Sequence, residues 1–188
     1  MTTKKKYPKE WDKETILEIL GDLDDYFVKK GETVVVTAIG GIAIVLQDFQ
    51  PRSTNDLDMA PVSDAERLLK ACGRLGIKAQ VVTLVSTVDF NDIERIQLFV
   101  GKALTLYGVG AEDLIRLKLE RFEKHDPEDI YAIIRKEKFP YERFAALVKE
   151  GKDYYIGRVE EYLVSAQLVV ERMYPENFKN FSREFGLA

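Results

Sequence analysis

The sequence contains one cysteine, Cys72, one histidine, His125, and one tryptophan. A single cysteine excludes an internal disulfide, and with a single histidine it excludes zinc sites built from several Cys and His ligands. A Cys-His pair or a Ser-His-Asp triad would have to use His125, which lies in the highly charged stretch from Arg121 to Asp129. Long apolar runs are missing too. The longest stretch without a charge, Thr33 to Gln47, has fifteen residues, whereas a membrane-spanning helix needs about 20. The lysines near the N-terminus are not followed by the apolar region of a signal peptide. Neither sign of charge dominates: 28 Lys and Arg against 32 Asp and Glu give a net charge of −4, which offers no global attraction for nucleic acid. The tools left for chemistry are carboxylates, Lys, Arg and a borrowed metal ion. A soluble, reducing, cytoplasmic setting with no membrane partner is the expectation.

What is present fits a folded protein. With 188 residues, 46% apolar and 32% charged, the chain can bury a sizeable core as one domain with an appendage. After a basic, mobile start through Trp11, Asp12 predicts the cap of a helix over Lys13 to Lys30, with Gly31 beyond its end. Thr33 to Ile39 is β-branched and apolar, the pattern of a buried strand, and runs into Gly40-Gly41 and a short helix to Gln47. Asp56 to Pro61 reads as a second strand. Ser63 with Glu66 forms a capping box for a helix ending near Gly73 or Gly76. Ile77 to Val88 is a third strand, and Ile96 to Val100 with Ala103 to Val109 forms a hairpin. Helices are expected over Glu112 to Lys124, from an N-cap at Asp126 with Pro127 and further acids in the first turn, over Tyr141 to Lys149, and over Asp153 to Met173. This predicts an α/β core over residues 1–110 and a helical C-terminal region over residues 111–188 that packs on it.

The segment from Gly40 to Met59 carries the chemistry. Alternation in a strand places Asp56 and Asp58 on one face, where two carboxylates can hold Mg²⁺ and leave positions open for phosphates. Two acids bracketing Leu57 in a central strand would be costly without a cation. Gly40 and Gly41 permit close approach of backbone amides to a triphosphate. The pair alone is weak as a signal: 14 aspartates in 188 residues give roughly one Asp-x-Asp by chance. Asp22-Leu23-Asp24 is an internal control, since in a helix residues i and i+2 do not share a face.

A Gly-Gly turn followed by an apolar-flanked Asp-x-Asp resembles the nucleotidyltransferase superfamily. Arg52-Ser53-Thr54-Asn55-Asp56-Leu57-Asp58 is similar to the Arg-x-Thr-x-Asp-x-Asp run of its AbiEii toxin-like branch. Ala111 to Arg121, followed by Asp126 and Asp129, is similar to that branch's downstream helix with its Lys, Arg and Asp. The resemblance implies a small mixed sheet flanked by helices, and transfer of a nucleoside monophosphate from an NTP to a hydroxyl on RNA, protein or a small molecule. It implies Mg²⁺ or Mn²⁺ held by Asp56, Asp58 and a third carboxylate, Asp89 or alternatively Glu94. The branch often has a lysine two residues before that acid, where this chain has Thr87. Nucleotide contacts would come from Gly40, Gly41, Arg52, Thr54, Lys118 and Asp129, and an antitoxin-like protein would be a partner. The plainer readings are an ion pair for Arg52, a surface charge for Lys118, and helix-start roles for Asp126 and Asp129. The competing function is a nucleotide-binding or protein-interaction module of the same fold without turnover.

Overall fold

A computed structural model describes residues 7–62 and 64–187. The first helix, α1, runs Lys13–Lys30. The Asp12 side chain accepts the Thr15 N–H at 2.8 Å, and Gly31 closes the helix in the left-handed conformation at φ 65°. Both ends lie where the caps predict, because each supplies a partner for backbone groups that the helix leaves unpaired. Strand β1 (Val34–Ala38) and helix α2 (Gly40–Leu46) follow. Next come β2 (Leu57–Met59) and α3 (Ala65–Leu75). The Ser63 half of the expected capping box lies outside the described residues. Gly76 ends α3 at φ 76°.

Contacts divide the chain into two units, one reaching to Leu84 and including Phe90–Gly110, the other formed by Val85–Asp89 and the chain from Ala111 onward. The first unit holds a five-stranded mixed sheet completed by β3 (Ala79–Val81), β4 (Arg95–Val100) and β5 (Leu104–Val109), in the order β3-β2-β1-β5-β4. β1 is parallel to β5 and antiparallel to β2, and β2 is parallel to β3. Helix α1 packs against β5, α2 and α3, while α3 also packs against β1 and β3. Ile16, Leu20, Leu23 and Phe27 of α1 join Val34, Val36, Leu57 and Leu104 in one core. Cys72 is part of that packing, its thiol pushed up to about 12 by burial.

Two expectations for this unit need correction. Trp11 is not part of a mobile start: it is buried and exchanges both backbone hydrogen bonds with Thr54, at 2.6 and 2.9 Å. Tyr7 likewise donates its hydroxyl to Asp22 at 2.6 Å. The strand expected over Ile77 to Val88 stops at Val81. Beyond it, the N–H groups of Ser86 and Thr87 are taken by the Glu120 carboxylate, at 2.8 and 3.2 Å, instead of by a strand neighbour.

The second unit is helical: α4 (Ala111–Arg121), α5 (Asp126–Glu137), α6 (Tyr141–Tyr154), α7 (Val159–Met173), a 3-10 turn at Pro175–Asn177 and α8 (Phe178–Glu184). Helix α6 is longer and α7 starts later than expected, with a break at Tyr155–Arg158, and α8 carries no strong sequence signal. Leu114, Ile115, Ile133, Phe144, Leu147, Tyr162 and Val169 are fully buried here. Asp126 opens α5 as a helical residue instead of capping it from outside: His125 occupies the cap position, and the Asp126 carboxylate accepts the Glu123 N–H at 2.9 Å. Arg116 joins Glu112 and Glu150 at 3.0 and 2.6 Å, tying α4 to α6. Among the described residues, no helix is long and apolar enough to cross a membrane.

Candidate functional site

The glycine turn and the Asp-x-Asp segment are built against each other. β1 delivers the chain to Gly40, which turns with φ 63° into α2. β2 is β1's antiparallel neighbour, with Ala38 opposite Met59 and the Ile39 N–H donating to the Asp58 carbonyl at 2.9 Å. That register sets the Asp58 side chain over the turn. A Cβ on Gly40 would lie 2.6 Å from Asp58 Oδ2, so the carboxylate fills the space that a side chain would take. A Cβ on Gly41 would overlap the Thr54 hydroxyl and lie 3.3 Å from Arg52 Nη2. Both glycines are thus required by close approach, and Gly40 by its left-handed conformation as well.

Each residue of the segment has a definite place. Asp58 is 8% exposed, in a strand interior to the sheet. Gln80 Nε2 donates to its Oδ1 at 2.7 Å. Asp56 is half-buried and pairs through Oδ2 with Lys78 Nζ at 3.0 Å. Thr54 is buried, its hydroxyl 3.5 Å from Asp56 Oδ1. Arg52 Nη1 donates to the Ser53 carbonyl at 3.0 Å. The Trp11–Thr54 bridge anchors this run from the other side, a role no periodicity around Trp11 could signal. A pocket of about 570 Å³ opens beside Arg52 and Ser53, walled also by Lys13, Val45, Asp48 and Gln50. Neither the glycines nor the two aspartates are among its lining residues.

Of the remaining candidates, Asp89, Lys118 and Asp129 lie in the helical unit. Asp89 is exposed, between buried Val88 and Phe90. Its segment is held by Glu120, which accepts from the N–H and the hydroxyl of Ser86 (2.8 and 2.7 Å) and of Thr87 (3.2 and 2.8 Å). Lys118 is 3% exposed and bridges Asp126 at 2.9 Å and Asp129 at 2.6 Å. It is therefore a buried ion-pair centre and not the surface charge that its helical position suggests. Arg121 adds two hydrogen bonds to Asp126, both 2.9 Å. Burial alone would raise the Asp126 pKa, but Arg121, Lys118 and the Glu123 N–H outweigh it and hold the carboxyl below its usual range. Glu94 belongs to the first unit, and a Cβ on Gly110 would overlap its carboxylate.

Among the described residues, no three His, Cys, Asp or Glu side chains gather in a way that could hold a metal ion. The donors that the Asp-x-Asp segment offers are two carboxylates, Asp58 against the Gly40 turn and Asp56 beside Lys78. That set fits Mg²⁺, which is commonly held by one or two carboxylates with water and substrate phosphates filling the other positions.

A mixed five-stranded sheet with a glycine turn facing an Asp-x-Asp strand defines the nucleotidyltransferase class of fold. A family model described as "Nucleotidyltransferase of unknown function (DUF6036)" matches residues 14–180, and the chain belongs to that family. No curated protein and no solved structure matches the chain.

Proposed function

We propose that the chain is a metal-dependent nucleotidyltransferase that moves a nucleoside monophosphate from an NTP to a hydroxyl acceptor on RNA, protein or a small molecule. The observation that carries this reading is the interlock of Asp58 with Gly40 and of Thr54 and Arg52 with Gly41. It brings oxygen ligands, a cation and side-chain-free backbone to one turn. In the reaction, an acceptor oxygen forms a bond to the α-phosphorus, the bond from that phosphorus to the bridging oxygen breaks, the acceptor gives up its proton, and pyrophosphate leaves.

Asp56 and Asp58 would hold Mg²⁺ or Mn²⁺. The chemistry such an ion supplies is neutralisation of phosphate charge and a lowered pKa for the attacking hydroxyl. Gly40 and Gly41 would offer backbone amides to the distal phosphates, with Thr54 packed against Gly41. Arg52 would offset charge that builds on the leaving group. Asp89, with Glu94 as the alternative, is carried as the third carboxylate on the resemblance alone. The same holds for the AbiEii toxin-like branch and its antitoxin-like partner, which rest on the Arg52–Asp58 run and the Lys118, Asp126 and Asp129 pattern.

A second reading, a nucleotide-binding or interaction module without turnover, is favoured by one observation. Lys118 is buried between Asp126 and Asp129, which engages a cation that the enzyme reading assigns to phosphate. Equilibrium binding of a labelled NTP tests the site. Affinity should require Mg²⁺ or Mn²⁺ and fall by more than about tenfold in the double variant Asp56→Asn, Asp58→Asn, since even outer partners of metal ligands are worth about that much. Equal affinity in EDTA would overturn the site. Transfer from an α-³²P-labelled NTP to tRNA, total protein or small alcohols separates enzyme from module.

A further inference from the structure

Lys78 and Gln80 stand outside every motif in the sequence, yet they meet the two aspartates. β3 runs parallel to β2 with Leu57 opposite Ala79 and Asp58 opposite Gln80. The same register, carried one residue back, sets Lys78 beside Asp56. Because side chains alternate along a strand, the four share one face of the sheet. Lys78 Nζ lies 3.0 Å from Asp56 Oδ2, and Gln80 Nε2 lies 2.7 Å from Asp58 Oδ1. Gln80, in the three-residue edge strand β3, and Lys78, just before it, are both exposed, so burial is not what places them there.

The two contacts differ in chemistry. An ammonium neutralises a carboxylate and competes for the same oxygen with any other cation. A side-chain amide brings no charge. It occupies Oδ1 of Asp58 and fixes the rotation of the carboxylate, with Oδ2 against the Gly40 turn. Outer hydrogen bonds of this kind orient metal ligands and raise affinity.

We propose that β3 tunes divalent-cation binding at the aspartate pair in two opposite senses: Gln80 is the positioning residue of Asp58, and Lys78 is the resident counter-ion of Asp56 that an incoming cation displaces. This rests on the reading above that the pair takes a divalent cation. A structural role alone gives no reason for two neighbouring surface substitutions to act with opposite sign.

Mn²⁺ binding to the full chain, followed by the loss of the free-ion electron paramagnetic resonance signal at low ionic strength, tests it. Gln80→Met should weaken Mn²⁺ by about tenfold. Lys78→Met should tighten it by about threefold, a gain that fades as salt screens the ammonium in the wild type. Lys78→Arg, which keeps a cation, should return affinity to the wild-type value. Asp58→Asn is the reference for binding at the pair. If Asp58→Asn loses Mn²⁺ while the two Met variants move together or match the wild type, the tuning is overturned and the site stands. Unchanged Mn²⁺ affinity in Asp58→Asn overturns the site itself, and the tuning with it.

Discussion

Asp-Leu-Asp occurs twice in the chain, at residues 22–24 and 56–58. Asp24 and Asp58 are equally buried, each 8% exposed. In α1 the Asp24 carboxylate accepts three backbone N–H groups, from Lys102 at 3.0 Å and from Ala103 and Leu104 at 2.7 Å each. It thereby fastens the turn between β4 and β5 to the first helix. Gly101 is required beside it, because a Cβ there would overlap the carboxylate. In β2 the Asp58 carboxylate meets a side-chain amide and faces a glycine turn. The same tripeptide serves architecture in a helix and a candidate site in a strand. Burial of a carboxylate is therefore no guide to chemistry. The kind of group it meets is: backbone N–H groups mark a fixed structural acceptor, while side chains on a short edge strand leave room for exchange.

Asp24→Ala should give the largest effect that sharpens this contrast. It leaves the buried N–H groups of Ala103 and Leu104 and the part-buried one of Lys102 without their acceptor, a loss of about 2 to 4 kcal/mol. Chemical denaturation would measure it, with Mn²⁺ affinity of the folded protein unchanged. Asp58→Asn should do the reverse, losing Mn²⁺ more than stability. If Asp24→Ala costs nothing, or if it alters Mn²⁺ binding, the division of labour between the two copies fails.

A smaller effect lies in the acid range. Burial alone would raise the Asp24 pKa, but the N–H groups of Ala103, Lys102 and Leu104 and the charge of Lys102 outweigh it and hold the carboxyl below its ordinary value of 3.8. The unfolded chain therefore takes up this proton first as pH falls. The contribution of Asp24 is fully present above about pH 3.8 and is lost as pH drops through the lower folded value. Asp24→Asn should be less stable than the wild type at neutral pH and lose less on acidification below pH 4, as read from paired denaturation curves. Parallel acid limbs would show that the three N–H bonds do not depend on the charge.

Much of the fold was legible where local chemistry closes an element. Asp12 and Gly31 mark both ends of α1, and the Gly40-Gly41 turn and the hairpin follow from local pattern. The site was half legible. Gly40, Gly41, Thr54 and Asp58 stand out in the sequence, but their interlock comes from the β1–β2 pairing, and Lys78 and Gln80 reach the aspartates only through the parallel register of β2 and β3, which no local pattern encodes. The strand past Val81 was over-read because an apolar run cannot reveal that Glu120 takes its N–H groups. Lys118 looked like a surface charge because lysine usually is one. Its burial depends on Asp126 and Asp129 arriving from the next helix.

The smallest effect concerns Asp22, the other acid of the helical copy. Two residues from Asp24 on a helix, it points to a different face, where it is half-buried and accepts the Tyr7 hydroxyl at 2.6 Å. Asn at this position keeps an oxygen that can accept the same hydrogen bond and removes a charge from a partly solvated place. Asp22→Asn should therefore cost under about 1 kcal/mol, a fall in melting temperature of at most about 4 °C for a chain of this size. Asp24→Asn in the same assay should cost more, because the amide group that replaces one carboxylate oxygen turns a donor toward the backbone N–H groups. Equal losses at the two positions would mean that the hairpin clamp adds nothing beyond an ordinary surface hydrogen bond, and burial would again be the better guide to what a carboxylate does here.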